Sequence, residues 1–219
     1  MKPIFVVIEG MDGSGTTTQV DLLHQWLDHQ KIRVVKTREP TTGPVGKLIR
    51  TALRNQIEDE NKHRVNMPPE SLALLFAADR VDHCKRFILP NLEHGINVIS
   101  DRYVLSSMIY QSIDLNRQKI RFERDPFSWL KQINSRAIQE TITIVLTVPV
   151  QMALSRLSNR SVKEIFETET FLKEIAPAYH QAHLLLPGHN IRYVNGDQEK
   201  HMVFADILKV LKEDTRLPF

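Results

Sequence analysis

The chain has 219 residues, of which 42% are hydrophobic and 25% charged, and its net charge is +3 at neutral pH. This composition is typical of globular proteins, and no apolar run reaches the roughly 18 residues that a membrane span needs. The positive residues form no basic run or tail, so nucleic-acid binding is not indicated, and a site for anionic phosphates explains the positive excess equally well. The single cysteine, Cys84, excludes an intramolecular disulfide and suits the reducing cytoplasm.

Short β-branched segments alternate with longer segments of helical period along the chain. Five of the short segments are nearly continuous in apolar residues, as expected of strands buried on both faces of a sheet: 4–8, 33–37, 96–99, 141–147 and 191–194. The first run soon meets Glu9, which favours a buried strand over a signal sequence. The alternation predicts one α/β domain, residues 1–219, in which helices cover a parallel sheet.

The helical segments lie between these strands. Residues 15–29 place Val20, Leu23 and Leu27 along one apolar stripe beside Trp26, as in an amphipathic helix. Residues 69–92 start with prolines and a glutamate, which favour a helix start, and Pro90 is a position at which this helix can break. Further helices are predicted over 104–112, 126–139, 150–157, 164–185 and 199–213.

The segment after the first strand matches a phosphate-binding loop. Residues 10–18 read GMDGSGTTT and fit the pattern G-x-x-x-x-G-K-[ST], except that Thr16 stands at the lysine position. Glycines allow the positive φ values that turn backbone N–H groups toward an anion, and a helix N-terminus adds partial positive charge. The predicted phosphate ligands are Gly10, Gly13, Ser14, Gly15, Thr16, Thr17 and Thr18. A glycine-rich turn capped by serine and threonine is the alternative interpretation.

Thr16 has a hydroxyl where such loops usually carry the positive charge of a lysine. Losing one well-placed donor to developing negative charge typically lowers a rate by a factor of about 10²–10³. Either another cation supplies this charge, or the protein is a slow or inactive relative of the enzymes that have the lysine.

Three further segments follow the loop in a fixed order: Thr37-Arg38-Glu39-Pro40, the run LLFAADR at 74–80, and Asp101-Arg102-Tyr103. Together with the run EGMDG at 9–13 they resemble the motifs of the thymidylate kinase family, which belongs to the P-loop nucleoside monophosphate kinases. The resemblance covers nearly the whole chain. It implies a three-layer P-loop NTPase-type fold, with helices on both faces of a five-stranded parallel sheet and a lid at about 156–167.

The same resemblance implies an activity and its ligands. ATP would donate a phosphoryl group to dTMP in dTTP biosynthesis, Mg²⁺ would be the cofactor, and the protein would be a homodimer. Thr17 and Asp101 would hold the metal, and Thr18 would reach the α-phosphate. Two alternatives stay open at this point: a catalytically weak nucleotide-binding relative, and a kinase for another nucleotide such as dUMP.

Acceptor-binding residues carry over from the motifs. Phe76 would stack on thymine, although the stripe of Leu72 and Leu75 also fits a core position for it. Arg80, one helical turn further on, would meet a pyrimidine carbonyl, unless it forms a surface salt bridge with Asp79 or Asp82. The resemblance also implies roles for Tyr103, for Ser107 at the thymine edge, for Tyr110 near the sugar 2′ position, and for Gln111.

Charged residues complete the predicted site. Arg102 and Arg38 would bind the acceptor phosphate, a task that suits the fork of donors on arginine, and Asp12 would face the acceptor.

The cation that stabilises the transition state lies, in the family, either in the lid or in the phosphate loop, but Gly13 stands at the loop position here. The usual lid motif Asp-Arg-Ile-Glu reads Glu-Ile-Phe-Glu at 164–167, without its arginine. The remaining candidates are Arg160 and Lys163 over the phosphates and Arg156 on adenine, and a solvated charged loop is the alternative for all three.

Overall fold

The computed structural model describes residues 2–120, 125–158 and 164–214. Its centre is a five-stranded, all-parallel sheet in the order β2-β3-β1-β4-β5. The strands are β1 (Phe5–Glu9), β2 (Val34–Arg38), β3 (Asn97–Asp101), β4 (Ile142–Thr147) and β5 (Ile191–Asn195). All five predicted strands are therefore confirmed, with ends that differ by at most two residues from the prediction.

Burial of the strands differs between the centre and the edges of the sheet. Every residue of β1 and β3 is buried, as the apolar runs predict. The edge strands β2 and β5 expose several side chains, among them Arg38 and Arg192, so the prediction of burial on both faces is wrong for them. Within the part of the chain that the structure describes, each edge strand pairs with one other strand, so its outer edge is not covered by the sheet.

Helices pack on both faces of the sheet. They are α1 (Thr16–His29), α2 (Pro44–Leu53), α3 (Pro69–His83), α4 (Leu89–Glu93), α5 (Val104–Arg117), α6 (Pro126–Ile133), α7 (Val150–Leu157), α8 (Glu169–His180), α9 (Ala182–Leu185) and α10 (Lys200–Glu213). Side chains of β1 alternate between two hydrophobic cores. Val6 and Ile8 pack with α1 and α10, whereas Phe5 and Val7 pack with α3 and α5. The predicted three-layer arrangement is confirmed.

Several helix boundaries differ from the prediction. A π-helical turn, Cys84–Ile88, joins α3 to α4 near the expected break at Pro90, which lies in the first turn of α4. Helix α5 is longer than predicted and α6 is shorter, and residues 164–168 are not helical. Helix α2 was not predicted at all. Within the described residues, no helix combines the length and apolarity needed to cross a bilayer.

Candidate active site

The phosphate loop runs from the end of β1 to the start of α1 at Thr16. Gly13 and Gly15 have φ values of 83° and 97°, a backbone conformation that favours glycine. A Cβ atom added to Gly13 would lie 2.5 Å from the carbonyl oxygen of Ala153 on α7. The loop therefore packs directly on the backbone of α7, and no side chain fits at Gly13 without displacing that helix.

A hydroxyl and a carboxylate meet beside this loop. Because β1 and β3 are neighbours with Ile8 opposite Asp101, the end of β3 lies next to the start of α1. The Thr17 hydroxyl donates a hydrogen bond to Asp101 Oδ2 over 2.5 Å. The other oxygen, Oδ1, is buried and has no hydrogen-bond partner among the described residues. A hydroxyl oxygen next to a carboxylate oxygen that has no hydrogen-bond donor is the kind of oxygen ligand set that Mg²⁺ prefers.

Arg102 follows β3 in a left-handed conformation, with φ of 69°. Its guanidinium pairs with Asp12 Oδ1 at 2.8 Å and donates to Ser106 Oγ at 3.0 Å. The Tyr110 hydroxyl donates to the other Asp12 oxygen at 2.9 Å and accepts from the Asp12 backbone N–H at 3.1 Å. Asp12, Arg102 and Tyr110 thus form one hydrogen-bonded group, and each of them holds the other two in place.

Glu9 supports this group from within the sheet. Its fully buried carboxylate accepts hydrogen bonds from the backbone N–H groups of Tyr103 and Ser106, at 2.7 and 3.2 Å, and from the Ser106 hydroxyl. Burial raises the pKa of Glu9 to about 7, although the hydrogen bond from Ser106 and the charge of Arg102 oppose the shift. Glu9 thereby fixes the N-terminus of α5, which begins at Val104, two residues after Arg102.

A cavity of about 480 Å³, including its open mouth, lies between α3 and α5. The half-buried ring of Phe76 forms part of its wall, together with Ser107, Tyr110 and Gln111. Ser107 Oγ and Gln111 Oε1 are buried without hydrogen-bond partners among the described residues. Such groups cost about 1–3 kcal/mol each when unsatisfied, so their presence here indicates a ligand with polar edges and a flat face.

A second, larger cavity lies over the phosphate loop. Five arginines line it: Arg38, Arg50, Arg54, Arg102 and Arg156. Asp12, Glu39, Pro40, Arg102 and Glu164 line both cavities, so the two open into each other. Burial raises the pKa of Glu164, with a further contribution from Asp12. The combination of an aromatic-walled cavity and a cationic cavity suits a nucleotide whose phosphate faces the loop.

Comparison with known proteins identifies the family. The family model described as thymidylate kinase matches residues 8–207. The chain belongs to the thymidylate kinase family. It is therefore a nucleotide-binding kinase, that is, a phosphotransferase.

Curated relatives of this kinase match over nearly its full length. A probable thymidylate kinase of Pyrococcus horikoshii is 36% identical over 219 residues, with 98% of each chain covered. One of Pyrococcus abyssi is 38% identical over 217 residues, again with 98% of each chain covered. One of Methanococcus aeolicus is 37% identical over 216 residues, covering 95% of this chain and 96% of the relative.

Arg80 and Tyr103 of the kinase are bound to protein groups. Arg80 pairs with Glu39 Oε2 at 2.7 Å and donates to the Tyr103 carbonyl at 3.2 Å and to the Asn134 side chain. Its Nε lacks a partner among the described residues, and its side chain lines the first cavity. The partner carboxylate is thus Glu39, whereas Asp79 accepts from Thr41 and Asp82 pairs with Arg86. The Tyr103 hydroxyl accepts from the Ile138 N–H and pairs with Cys84 Sγ, so this side chain has a structural role.

Arg156 is tied to the phosphate loop. Its guanidinium donates to the carbonyls of Gly13 and Gly196, at 3.3 and 3.1 Å, which links the loop to the segment after β5. Thr18 and Arg156 also line a third cavity, of about 650 Å³, beside α10. The predicted phosphate-binding candidates Arg160 and Lys163 lie outside the described residues.

Several residues of the site were missed by sequence reasoning. Glu9 and Glu39 stand inside the quoted motifs, yet no role was predicted for them. Ser106 and Tyr179 bind each other over 2.9 Å beside Arg102, although 73 positions separate them in the chain. Arg50 and Arg54 lie four positions apart in and just after α2, so overlooking this helix meant overlooking both cations.

Proposed function

We propose that this kinase transfers a phosphoryl group from MgATP to dTMP, giving ADP and dTDP for dTTP synthesis. The observation that carries this proposal is the junction of the two cavities at Asp12 and Arg102. A nucleoside in the cavity of Phe76 would direct its 5′-phosphate through that junction toward the phosphate loop. Acceptor and donor phosphates then face each other, which is the main requirement of phosphoryl transfer.

Base recognition follows from the unmatched polar groups of the first cavity. Thymine has one N–H donor between two carbonyl acceptors, and its ring is flat. Gln111 Oε1 can accept from that N–H, the Ser107 hydroxyl can donate to a carbonyl, and Phe76 can stack on the ring. Binding would satisfy groups that are otherwise buried at a cost, so the cavity suits a base of this chemistry.

The phosphates would be bound by fixed donors. Arg102 presents its fork of N–H groups at the junction, and Arg38 lines the loop side of the cavity. Thr17 and Asp101 would hold Mg²⁺, which when bound neutralises charge on the transferred group. The acceptor phosphate is already ionised at neutral pH, so no side chain needs to act as a strong base. Arg156 near adenine, and Arg160 and Lys163 over the phosphates, remain part of the proposal.

Cytoplasmic location, a single domain over residues 1–219, a lid at about 156–167 and a homodimer also belong to the proposal. Their support is the composition of the chain and the resemblance of its motifs to the family.

The test is ADP formation by the purified protein with MgATP, measured with dTMP, with dUMP and without acceptor. We expect rapid ADP release that requires dTMP. A folded protein that binds dTMP but forms no dTMP-dependent ADP would contradict the proposed reaction. Equal rates with dUMP would contradict the assignment of dTMP as the preferred acceptor, because the two bases differ only by the thymine methyl group.

A further inference from the structure

We propose that Arg54 supplies the positive charge that the phosphate loop lacks, by contacting the transferred phosphoryl group from the end of α2. The inference rests on the proposed function. Arg54 stands directly after α2 and lines the same cavity as Thr16 and Thr17. A helix outside the loop would thereby perform the task that the lysine of such loops performs from within.

The phosphate loop is unable to supply this charge itself. Thr16 carries no charge and is only 6% exposed. At Gly13 a Cβ atom would lie 2.5 Å from the Ala153 carbonyl oxygen, so an arginine is excluded there by the packing of α7. The cation must therefore reach the phosphates from another wall of the cavity.

Three of the five arginines that line this cavity are held by protein groups. Arg102 is paired with Asp12, Arg156 is bound to the carbonyls of Gly13 and Gly196, and Arg50 donates to the Pro40 carbonyl. Their guanidinium groups are fixed donors with part of their capacity used. Among the described residues, Arg38 and Arg54 are exposed and their side chains donate no hydrogen bond to the protein, so both guanidinium groups are available to a ligand.

The placement of α2 distinguishes Arg54 from Arg38. Arg38 ends the edge strand β2 and also lines a neighbouring cavity, which shares Thr17 and Asp101 with the phosphate cavity. Arg54 instead lies beside the segment that follows residue 163: the Ile165 N–H donates to the carbonyl of Leu53 over 2.9 Å. Ile165 is the position where the family resemblance leads one to expect the lid arginine. Arg54 directly follows Leu53 in the chain. An arginine at the end of α2 therefore lies next to the position where the lid arginine is expected.

Two further observations concern the position of α2 and the charge of Arg54. Gly46 lets α2 approach the loop after β2 closely, since a Cβ atom there would lie 2.1 Å from the Thr41 carbonyl oxygen. The charge of Arg54 also counters the raised pKa of Glu164, whose main cause is burial. In the free protein Arg54 thus has a carboxylate across the cavity, and a triphosphate is the stronger competitor for its charge.

The experiment compares steady-state dTMP-dependent ADP formation by wild type, Arg54→Ala, Arg54→Lys and Lys47→Ala. Lys47 is an exposed cation on the same helix and lines neither cavity, which makes it a matched control. We expect Arg54→Ala to lower kcat by about 10²-fold, with KM for dTMP changed by less than about threefold. Arg54→Lys should retain an intermediate rate, and Lys47→Ala should match wild type.

A restoration experiment tests position as well as charge. In the Arg54→Ala background, Ile165→Arg places a guanidinium on the residue that hydrogen-bonds to Leu53. We expect kcat to recover about tenfold. A second readout is the affinity for the transition-state mimic formed by ADP, aluminium fluoride and dTMP, which Arg54→Ala should weaken while leaving the Kd of dTMP alone unchanged.

The outcomes separate this inference from the proposed function. An active wild type with an equally active Arg54→Ala variant would overturn the role of Arg54 and leave the kinase reaction intact. A loss of kcat that Lys47→Ala shares would attribute the effect to α2 as a whole and also overturn the inference. A wild type that binds dTMP without dTMP-dependent ADP release would overturn the proposed function and the inference with it.

Discussion

The two cavities of the site are built in opposite ways. The nucleoside cavity is surrounded by buried and half-buried side chains that hydrogen-bond to one another, such as Glu9 with Ser106 and Asp12 with Arg102 and Tyr110. The phosphate cavity is formed by backbone N–H groups of a loop and by arginines from several elements, of which Arg38 and Arg54 are exposed. One region is a connected network, and the other is a collection of separate charges.

This difference shows where the fold tolerates change. In a connected network, loss of one member leaves the others without partners, and buried unpaired groups are costly. Charges around an open cavity act on the phosphates largely independently, so one of them can be lost if another approaches from a different element. The absence of a lysine at position 16 is compatible with activity for this reason, whereas an equivalent loss around Asp12 would not be.

The largest expected effect on catalysis comes from removing the side chain of Arg102 from the hydrogen-bonded group. We expect Arg102→Ala to lower kcat/KM for dTMP by about 10³-fold, because the acceptor phosphate loses its fork of donors and Asp12 loses its ion pair. Arg117→Ala is the control, since Arg117 also pairs with a carboxylate, Glu174, but in an exposed position. Steady-state kinetics of both variants make the comparison. Similar losses in the two would show that Arg102 has no special role.

The next effect concerns the buried carboxylate of Glu9, whose pKa of about 7 exceeds the ordinary 4.5. Between these values the folded protein binds a proton that the unfolded chain does not, so the free energy of unfolding falls as pH rises from 5 to 8. The shift corresponds to about 3 kcal/mol. Glu9→Gln removes this titration, and its stability relative to wild type should rise with pH by up to that amount.

Urea unfolding of wild type and Glu9→Gln at pH 5, 6, 7 and 8 measures the difference directly. Other titrating groups, such as His189 beside Glu140, are common to both proteins and cancel in the subtraction. A difference that stays constant over this range would mean that Glu9 is ionised throughout, and that the network is held by a permanent charge.

Sequence motifs located the parts of the site whose partners are near them in the chain or in the neighbouring strand. Thr17, Asp101 and Arg102 were predicted from the resemblance of their motifs to the family, and the structure brings them together because parallel strands end at the same edge of the sheet. Glu9 was read only as the end of an apolar strand, since Tyr103 and Ser106, the residues that bind it, are more than 90 positions away. Long-range hydrogen bonds of this kind have no local pattern.

Helix α2 was overlooked for a different reason. It has only ten residues, and Gly46 lowers its intrinsic helix propensity. Its apolar residues do recur at the spacing of one helical face, so the pattern was present in the sequence and was missed in so short a segment: Val45, Leu48, Ile49, Ala52 and Leu53. The helix forms because it packs on α3 and on the turn at Thr41, contacts that depend on the completed fold. Arg50 and Arg54 became visible only with it.

A moderate effect is expected at the aromatic wall of the nucleoside cavity. Phe76→Ala should raise KM for dTMP by about 10-fold to 100-fold, since stacking on a base contributes about 1–3 kcal/mol. Leu74→Ala, on the same helix but with a side chain 50% exposed, is the control and should leave KM unchanged. If Phe76→Ala destabilised the protein without changing KM, the core position considered for this ring would be the correct interpretation.

The smallest effect is also the most diagnostic, because it has opposite signs in two measurements. Ser107 Oγ is buried without a partner among the described residues, so Ser107→Ala should increase the free energy of unfolding by about 1 kcal/mol. The same change should weaken dTMP binding about fivefold, since the hydroxyl finds its partner only in the base.

Ser112→Ala is the control: it lies on the same helix and removes a hydroxyl that already donates to the Ile109 carbonyl, so it should give neither a gain in stability nor a loss of affinity. Calorimetric titration and urea unfolding of both variants measure the two quantities. A Ser107→Ala protein that gained stability and kept its affinity would show that the hydroxyl does not contact the base, and that the network around Asp12 and Arg102 alone selects the acceptor.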